Sequence, residues 1–280
     1  MVKIITDSAA DFEPAELEAM GVSCIPITVI LDGQEYQENV NLSKDQFYGL
    51  LSSTGGTPQT AQPSPVLLGR LLKEAKQTGE EAVYITLSSA LSGTYQSAVM
   101  MAEDMDCDGF YFVDSRNATG GQRLLVEHAV RLRDAGRSAA EIAQAVEALR
   151  ERIVLYACID TLEYLYRGGR INHTVYKIGS LAQVKPIIRV SPEGGIEVPA
   201  KAMGMRKGMD YLTKRLELCR PDPAYTLYVM YTADRSNGEV LAQKLEELGY
   251  SIPEAHIINV GAAIGSHIGP NACGLVYVGE

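Results

Sequence analysis

Long apolar runs are absent. The longest nearly apolar stretch, residues 24–31, is far too short to span a bilayer. Residues 1–7 lack both the apolar core and the cleavage site of a signal peptide. Cysteine is sparse: Cys24, Cys107, Cys158, Cys219 and Cys273 are scattered and form no C-x-x-C. Such an odd set argues for a reducing compartment and against a disulfide framework or a zinc site. His128, His173, His256 and His267 show no helical ligand spacing. Neither G-x-x-x-x-G-K-[ST] nor G-x-G-x-x-G occurs, so the chain has no motif of its own for nucleotide phosphates. Positive charge is in deficit. Lys plus Arg number 25 against 35 Asp plus Glu, a formal charge of −10 that repels phosphate backbones and anionic headgroups. Together these absences predict a soluble cytoplasmic protein with no nucleic-acid role, no membrane span, no metal and no cofactor.

The chain has 280 residues, 46% hydrophobic and 21% charged, the profile of a globular protein with a real core, most simply in two domains. Residues 2–5 read as a strand, followed by a helix with Pro14 in its first turn. Asp32-Gly33 is a hairpin turn between residues 24–31 and 35–37. Ser43 with Gln46 forms a capping box before a helix carrying Phe47, Leu50 and Leu51. Ser64-Pro65 opens a helix of Leu68, Leu71, Leu72 and Ala75 that Gly79 stops. Buried-strand candidates at 82–87 and 110–113 each precede a helix. This alternation predicts a mostly parallel sheet with helices on both faces.

Beyond a helix capped by Ser138 and Glu141 the pattern changes. Residues 154–159 form a strand, Gly168-Gly169 ends a short helix, and Pro192-Glu193-Gly194-Gly195 joins strands 186–190 and 196–199 as a hairpin. A helix near 207–218, a strand at 226–231, a helix capped by Ser236 and Glu239, and strands at 255–260 and 275–278 follow. The expected fold is therefore α/β in two domains. Residues 1–153 form an α/β domain on a mostly parallel sheet, and 154–280 an α+β domain on a mixed or antiparallel one.

Hydroxyls cluster in the loops. After the strand at 82–87 comes Ser88-Ser89-Ala90-Leu91-Ser92-Gly93-Thr94. A strand-to-helix turn of this kind brings free N–H groups and the positive helix end together, a natural anion seat. Gly93 lets a ligand approach the backbone without a Cβ in the way. The plainer reading is helix capping. In Thr57-Pro58-Gln59-Thr60-Ala61-Gln62-Pro63-Ser64-Pro65, the prolines stiffen the backbone around Thr60. Its plainer reading is a capped helix entry. Thr6-Asp7-Ser8 and Asp114-Ser115 also follow strands, and such loops gather along the carboxyl edge of a parallel sheet, where ligands bind. Arg167-Gly168-Gly169-Arg170 sets two guanidinium groups beside a turn, suited to a carboxylate or phosphate, or to an ordinary glycine helix stop. Ser266-His267-Ile268-Gly269-Pro270 reads as a polar loop, and a lone loop histidine is more often simply hydrogen-bonded than catalytic.

Taken in order, Thr6-Asp7-Ser8, Thr60-x-x-Pro63-Ser64, Ser88-Ser89-x-Leu91-Ser92-Gly93-Thr94-Tyr95-Gln96, Leu162-x-Tyr164-Leu165-x-Arg167-Gly168-Gly169-Arg170-Ile171 and Ile268-Gly269-Pro270 resemble the DegV family over nearly the whole chain. The resemblance implies a two-domain protein that holds one long-chain fatty acid, palmitate- or oleate-like, in a tunnel between its domains. It implies, too, a separate fatty acid kinase that makes the acyl phosphate from ATP, in keeping with the missing phosphate motif. By motif, Thr60, Ser92 and the Gly93 N–H would bind the carboxylate, with His267 joining the network. Arg170 is a candidate for head-group polarity or partner docking. Two departures stand out. Ala61 replaces a second hydroxyl, and Met203 stands where an arginine for engaging the kinase is expected, with Arg206 a candidate substitute.

Three other readings stay open. A serine hydrolase would use Ser92 and His267 with Asp7 or Asp114, although Ala90-x-Ser92-Gly93 departs from G-x-S-x-G. A phosphotransferase similar to dihydroxyacetone kinases would need a histidine for its substrate, and none precedes residue 128. A carrier of a different amphiphile would keep the same architecture.

Overall fold

The structure, a computed structural model, describes residues 2–178 and 183–280. Strands β1 (Lys3–Asp7), β2 (Val22–Ile25), β6 (Ala82–Thr86) and β7 (Phe110–Asp114) pair in parallel, in the order β2-β1-β6-β7. Strands β3 (Thr28–Leu31), β4 (Gln34–Gln37) and β5 (Gln59–Ala61) form a small antiparallel sheet. The third sheet takes β8 (Ile153–Cys158), β9 (Val184–Val190), β10 (Ile196–Met203), β11 (Tyr228–Tyr231), β12 (Ile257–Asn259) and β13 (Cys273–Val278), in the order β10-β9-β8-β13-β11-β12. It is mixed: among the described residues only β11 and β12 run parallel. The α/β first half and the mixed sheet of the second match the fold expected from the sequence. The chain passes from one to the other at Ile153.

Helices α1 (Pro14–Met20), α2 (Lys44–Thr54), α3 (Pro65–Thr78), α4 (Thr94–Asp104), α5 (Thr119–Asp134) and α6 (Ala139–Arg150) belong to the first half. The two expected capping boxes form at α2 and α6: the Gln46 N–H donates to Ser43 Oγ at 3.2 Å and the Glu141 N–H to Ser138 Oγ at 3.3 Å. Helices α3 and α4 bury Leu68, Leu72 and Ala98 against one face of the parallel sheet. On the other face, α5 and α6 bury Leu124, Leu125, Ile142 and Val146 in a core that also holds Tyr228, Met230 and Val276 of the mixed sheet. Each such fully buried aliphatic side chain contributes roughly 1.5–3 kcal/mol. Gly120 makes the approach close, since a methyl there would lie 2.5 Å from Val276 Cγ1.

Helices α7 (Glu163–Arg167), α8 (His173–Ile178), α9 (Met205–Leu218), α10 (Ser236–Glu247) and α11 (Ala262–Ile268) complete the chain. Helices α9 and α10 cover the outer face of the mixed sheet, whereas α11 reaches back to α2, β3 and β5.

Several local expectations are corrected. Residues 24–31 are not one strand: Pro26, which lacks a ladder N–H, divides them between β2 and β3 in different sheets. Residues 266–268 are not loop but the end of α11, and Thr60 lies on β5 rather than on the parallel sheet's carboxyl edge. Ser64 caps α3 without a side-chain bond. At α10 the cap is supplied by Asp234, whose Oδ1 accepts the Ser236 N–H at 2.9 Å, and Ser236 is already helical. The first two residues of the expected strand 255–260 belong instead to a 3-10 turn, Glu254–His256.

Candidate functional site

Thr60, Ser92, Gly93, Arg170 and His267 line one cavity of about 230 Å³. Arg206 does not reach it and lies exposed on α9. The same cavity takes in Ala61 and Leu91, already noted in the motifs, and Gln62, Ala118 and Ile264, which the motifs alone did not mark.

Ser92 and Gly93 end the loop between β6 and α4, with Gly93 as the N-cap. Two acids, buried Asp7 and half-buried Asp114, hold that loop. Asp7 Oδ2 accepts the Leu87 N–H at 2.7 Å, and Asp114 Oδ1 accepts the Ser89 N–H at 3.0 Å. Both therefore act as buttresses and neither lines the cavity. Burial raises the Asp7 carboxyl to about 6 despite its bonds to Leu87, Gln122 and Ala9. Ser92 Oγ pairs with Thr94 Oγ1 at 2.8 Å. A methyl on Gly93 would lie 2.3 Å from Nε2 of exposed Gln62, whose Oε1 accepts from Ser97 Oγ at 2.6 Å, and would displace that side chain. Beyond Gln62 a second cleft of about 430 Å³ opens between α3 and α4.

Thr60 sits opposite Val29 in the antiparallel ladder, and its Oγ1 meets His267 Nε2 at 2.8 Å. His267 is buried, and among the described residues its Nδ1 has no hydrogen-bond partner. Burial first, and the nearby Arg170 charge second, pull its pKa down to about 4, so the imidazole is neutral at neutral pH. The two late motifs interlock here. A methyl on Gly168 would fall 2.2 Å from His267 Nδ1, and one on Gly269 would fall 2.5 Å from the Tyr164 ring.

Arg170 follows the Gly168-Gly169 turn. Its guanidinium donates to the Leu91 carbonyl at 3.0 Å and to the Gly168 carbonyl at 2.5 Å. Among the described residues no carboxylate pairs with it. Burial lowers its pKa, yet it stays a cation. A half-buried positive charge held only by carbonyls, beside hydroxyls and a helix N-terminus, suits an anion.

The far wall is apolar. Ala118, Ile196, Ile264 and Ile268 are shared with a narrower crevice of about 50 Å³ that runs between the mixed sheet and the start of α5 with α11, past Leu155, Ile188 and Met230. A hydrolytic triad is not assembled: Ser92 is bonded to Thr94, His267 to Thr60, and Asp7 and Asp114 to backbone. Among the described residues no group of three or more His, Cys, Asp or Glu is placed to hold a metal ion, and no helix is long and apolar enough to cross a membrane.

The family model described as "Uncharacterised protein, DegV family" matches residues 1–280. A DegV domain-containing protein of Caldanaerobacter subterraneus subsp. tengcongensis is 32% identical over 278 residues, covering 99% of this chain and 98% of that one. Among solved structures, a DegV family protein from Thermus thermophilus, described for its fatty acid binding, superposes with a TM-score of 0.88 at 27% identity, covering 100% of this chain and 99% of the other. DegV from Bacillus subtilis, described as a fatty acid binding protein, gives 0.82 at 26% identity over 100% and 99% of the two chains. Fold, motifs and full-length similarity agree: this chain is a member of the DegV family.

Proposed function

We propose that this protein holds one long-chain fatty acid, palmitate- or oleate-like, and presents its carboxylate to a separate fatty acid kinase that brings the ATP. The head group rests against Thr60, Ser92 and the Gly93 N–H, with neutral His267 bracing Thr60 and Arg170 supplying positive charge. The tail follows Ala118, Ile264 and Ile268 into the crevice between the mixed sheet and helices α5 and α11. The observation that carries this reading is the junction itself: a cavity with polar groups and an unpaired arginine at one end opens directly onto an apolar crevice. Such a gradient fits an amphiphile. It agrees with the fatty acid binding described for the Thermus and Bacillus relatives.

The energetics assign different tasks to the two ends. A sixteen-carbon tail offers up to ~12 kcal/mol at roughly 0.8 kcal/mol per buried methylene, before the costs of association. Affinity therefore comes from the tail. Head-group contacts fix which end points toward the kinase. A carboxylate gripped on both oxygens by a bidentate arginine would be a poor nucleophile toward phosphate, and Arg170 is instead engaged by carbonyls. Arg206, exposed on α9, is accessible to a partner, while Met203 nearby is 57% exposed and offers no charge.

Native mass spectrometry of purified protein, followed by organic extraction, tests the ligand. One fatty acid per chain is expected. Lipid-free protein that takes up neither palmitate nor oleate would overturn the reading. Trapping of acyl phosphate with hydroxylamine, in the presence of a fatty acid kinase and ATP, tests the presentation step.

A further inference from the structure

Helix α11 carries His267, Ile264 and Ile268 to the cavity, yet it enters from the strand β12 of the opposite half. Two buried acids hold its beginning. The Gly261 N–H donates to Asp11 Oδ1 at 2.8 Å and the Ala263 N–H to Glu38 Oε1 at 3.0 Å. Asp11 and Glu38 are each 1% exposed. They close over one point, since a methyl on Gly261 would lie 2.3 Å from Glu38 Oε1 and 2.9 Å from Asp11 Oδ1. Among the described residues no group bonds their second oxygens, Asp11 Oδ2 and Glu38 Oε2, at normal geometry, although the Thr119 hydroxyl interacts with Asp11 and the Ser8 hydroxyl with Glu38. Tyr48 reinforces the seat by donating to the Val260 carbonyl at 2.8 Å.

The charges around this pair do not balance it. Asp7 adds a third buried acid from β1, and Cys24 and Tyr48 face the cluster with raised pKa values. Lys44 is the nearest cation, but it also pairs with Glu13 at 2.7 Å and donates to the Asp11 carbonyl at 2.9 Å. Arg123 lies beyond, paired with Glu16 and Glu127. Helix α11 brings no charged side chain, its one titratable residue, His267, being neutral.

We infer that Asp11 and Glu38 form a proton-sensitive clasp that positions α11, and through it His267, so that the cavity's grip on its ligand depends on the charge of the pair. A neutral carboxyl at Glu38 keeps one oxygen to accept the Ala263 N–H and turns the other into a donor. Burial, and then the Asp11 charge, raise Glu38 to about 7, while burial raises Asp11 against the pull of Lys44 and Arg123. Above that pH two carboxylates repel one another beside the same helix end, and the seat of α11 loosens.

This inference takes its ligand from the fatty-acid reading, but the clasp is measurable without one. Glu38→Gln preserves the acceptor and removes the titration. Hydrogen-exchange protection of the Gly261 and Ala263 amides, measured by NMR on lipid-free protein, should fall about tenfold between about pH 6 and about pH 8 in the unmodified protein and stay level in Glu38→Gln. Oleate affinity should show the same difference, with titration of the fatty acid itself cancelling between the two proteins. Asp11→Asn, which removes the charge that raises Glu38, should shift the fall to lower pH and carries the comparison if Glu38→Gln does not fold. Protection profiles that run parallel across the three proteins would overturn the clasp. A pH-dependent profile in a protein that takes up no oleate would support the clasp and overturn the ligand reading instead.

Discussion

Gly168 and His267 are fitted to one another, the glycine leaving the 2.2 Å gap that a methyl would have to share with Nδ1. The φ at Gly168 is −73°, so alanine is allowed by the backbone and excluded only by space. Gly168→Ala should push the imidazole off Thr60 and weaken fatty acid binding about tenfold. Gly169→Ala makes the contrast: nothing lies within 4 Å of the added methyl, but the φ of 76° is left-handed and costs roughly 1 kcal/mol. It should lower the melting temperature and spare binding. Calorimetry and oleate titration of both variants check the pair.

Ser92→Ala and Thr60→Val each remove one hydroxyl lining the cavity and leave the apolar walls intact. A hydrogen bond to a charged group contributes about 1.5–3 kcal/mol. Each variant should therefore lose tenfold or more in binding or in kinase-coupled turnover, with unchanged circular dichroism. Unchanged affinity and turnover in both would remove these residues from the site.

Arg170→Gln should discriminate between an acid and its ester. Oleate affinity should fall about tenfold, while methyl oleate, which keeps the tail and loses the charge, should bind the variant as it binds the unmodified protein. Equal losses for both ligands would assign Arg170 to packing.

The pH dependence of stability has two opposing parts. His267 is held neutral with a pKa of about 4, below the ordinary 6.5, so the unfolded chain takes up a proton that the native state refuses. Stability is therefore lost as pH falls from about 6.5 toward about 4, by at most about 3 kcal/mol. Glu38 and Asp7 act in the other direction. Raised to about 7 and about 6, they contribute stability at low pH that is lost as pH rises through those values. Denaturant melts of His267→Gln against the unmodified protein should isolate the first part as an advantage of the unmodified protein that shrinks as pH falls from about 6.5 to about 4. A constant difference would show that His267 titrates normally.

What was legible in the sequence follows from how far each signal reaches. The strands at 82–87 and 110–113 and the boxes at Ser43 and Ser138 are local, and they appear where expected. Strand β5 has three residues, too few for any period, and α11 has seven with a glycine and a histidine among them, so it read as loop. The site residues were marked by motif, but their meeting depends on long-range geometry: Thr60 and His267 are 207 positions apart. Asp7 and Asp114 looked like ligand contacts because a carboxylate in a loop after a strand is ambiguous; the structure spends them on backbone N–H groups. Gln62 carried no signal, since its importance lies in the space beside Gly93.

Helix α5 is walled by β-sheet on two sides, with Leu124 and Val126 in the same apolar cluster as Val276 and Val278. A chain cut near residue 153 would leave that surface bare to water. The severed first half should therefore self-associate, and the intact protein should melt in one cooperative step, its halves sharing a single fate.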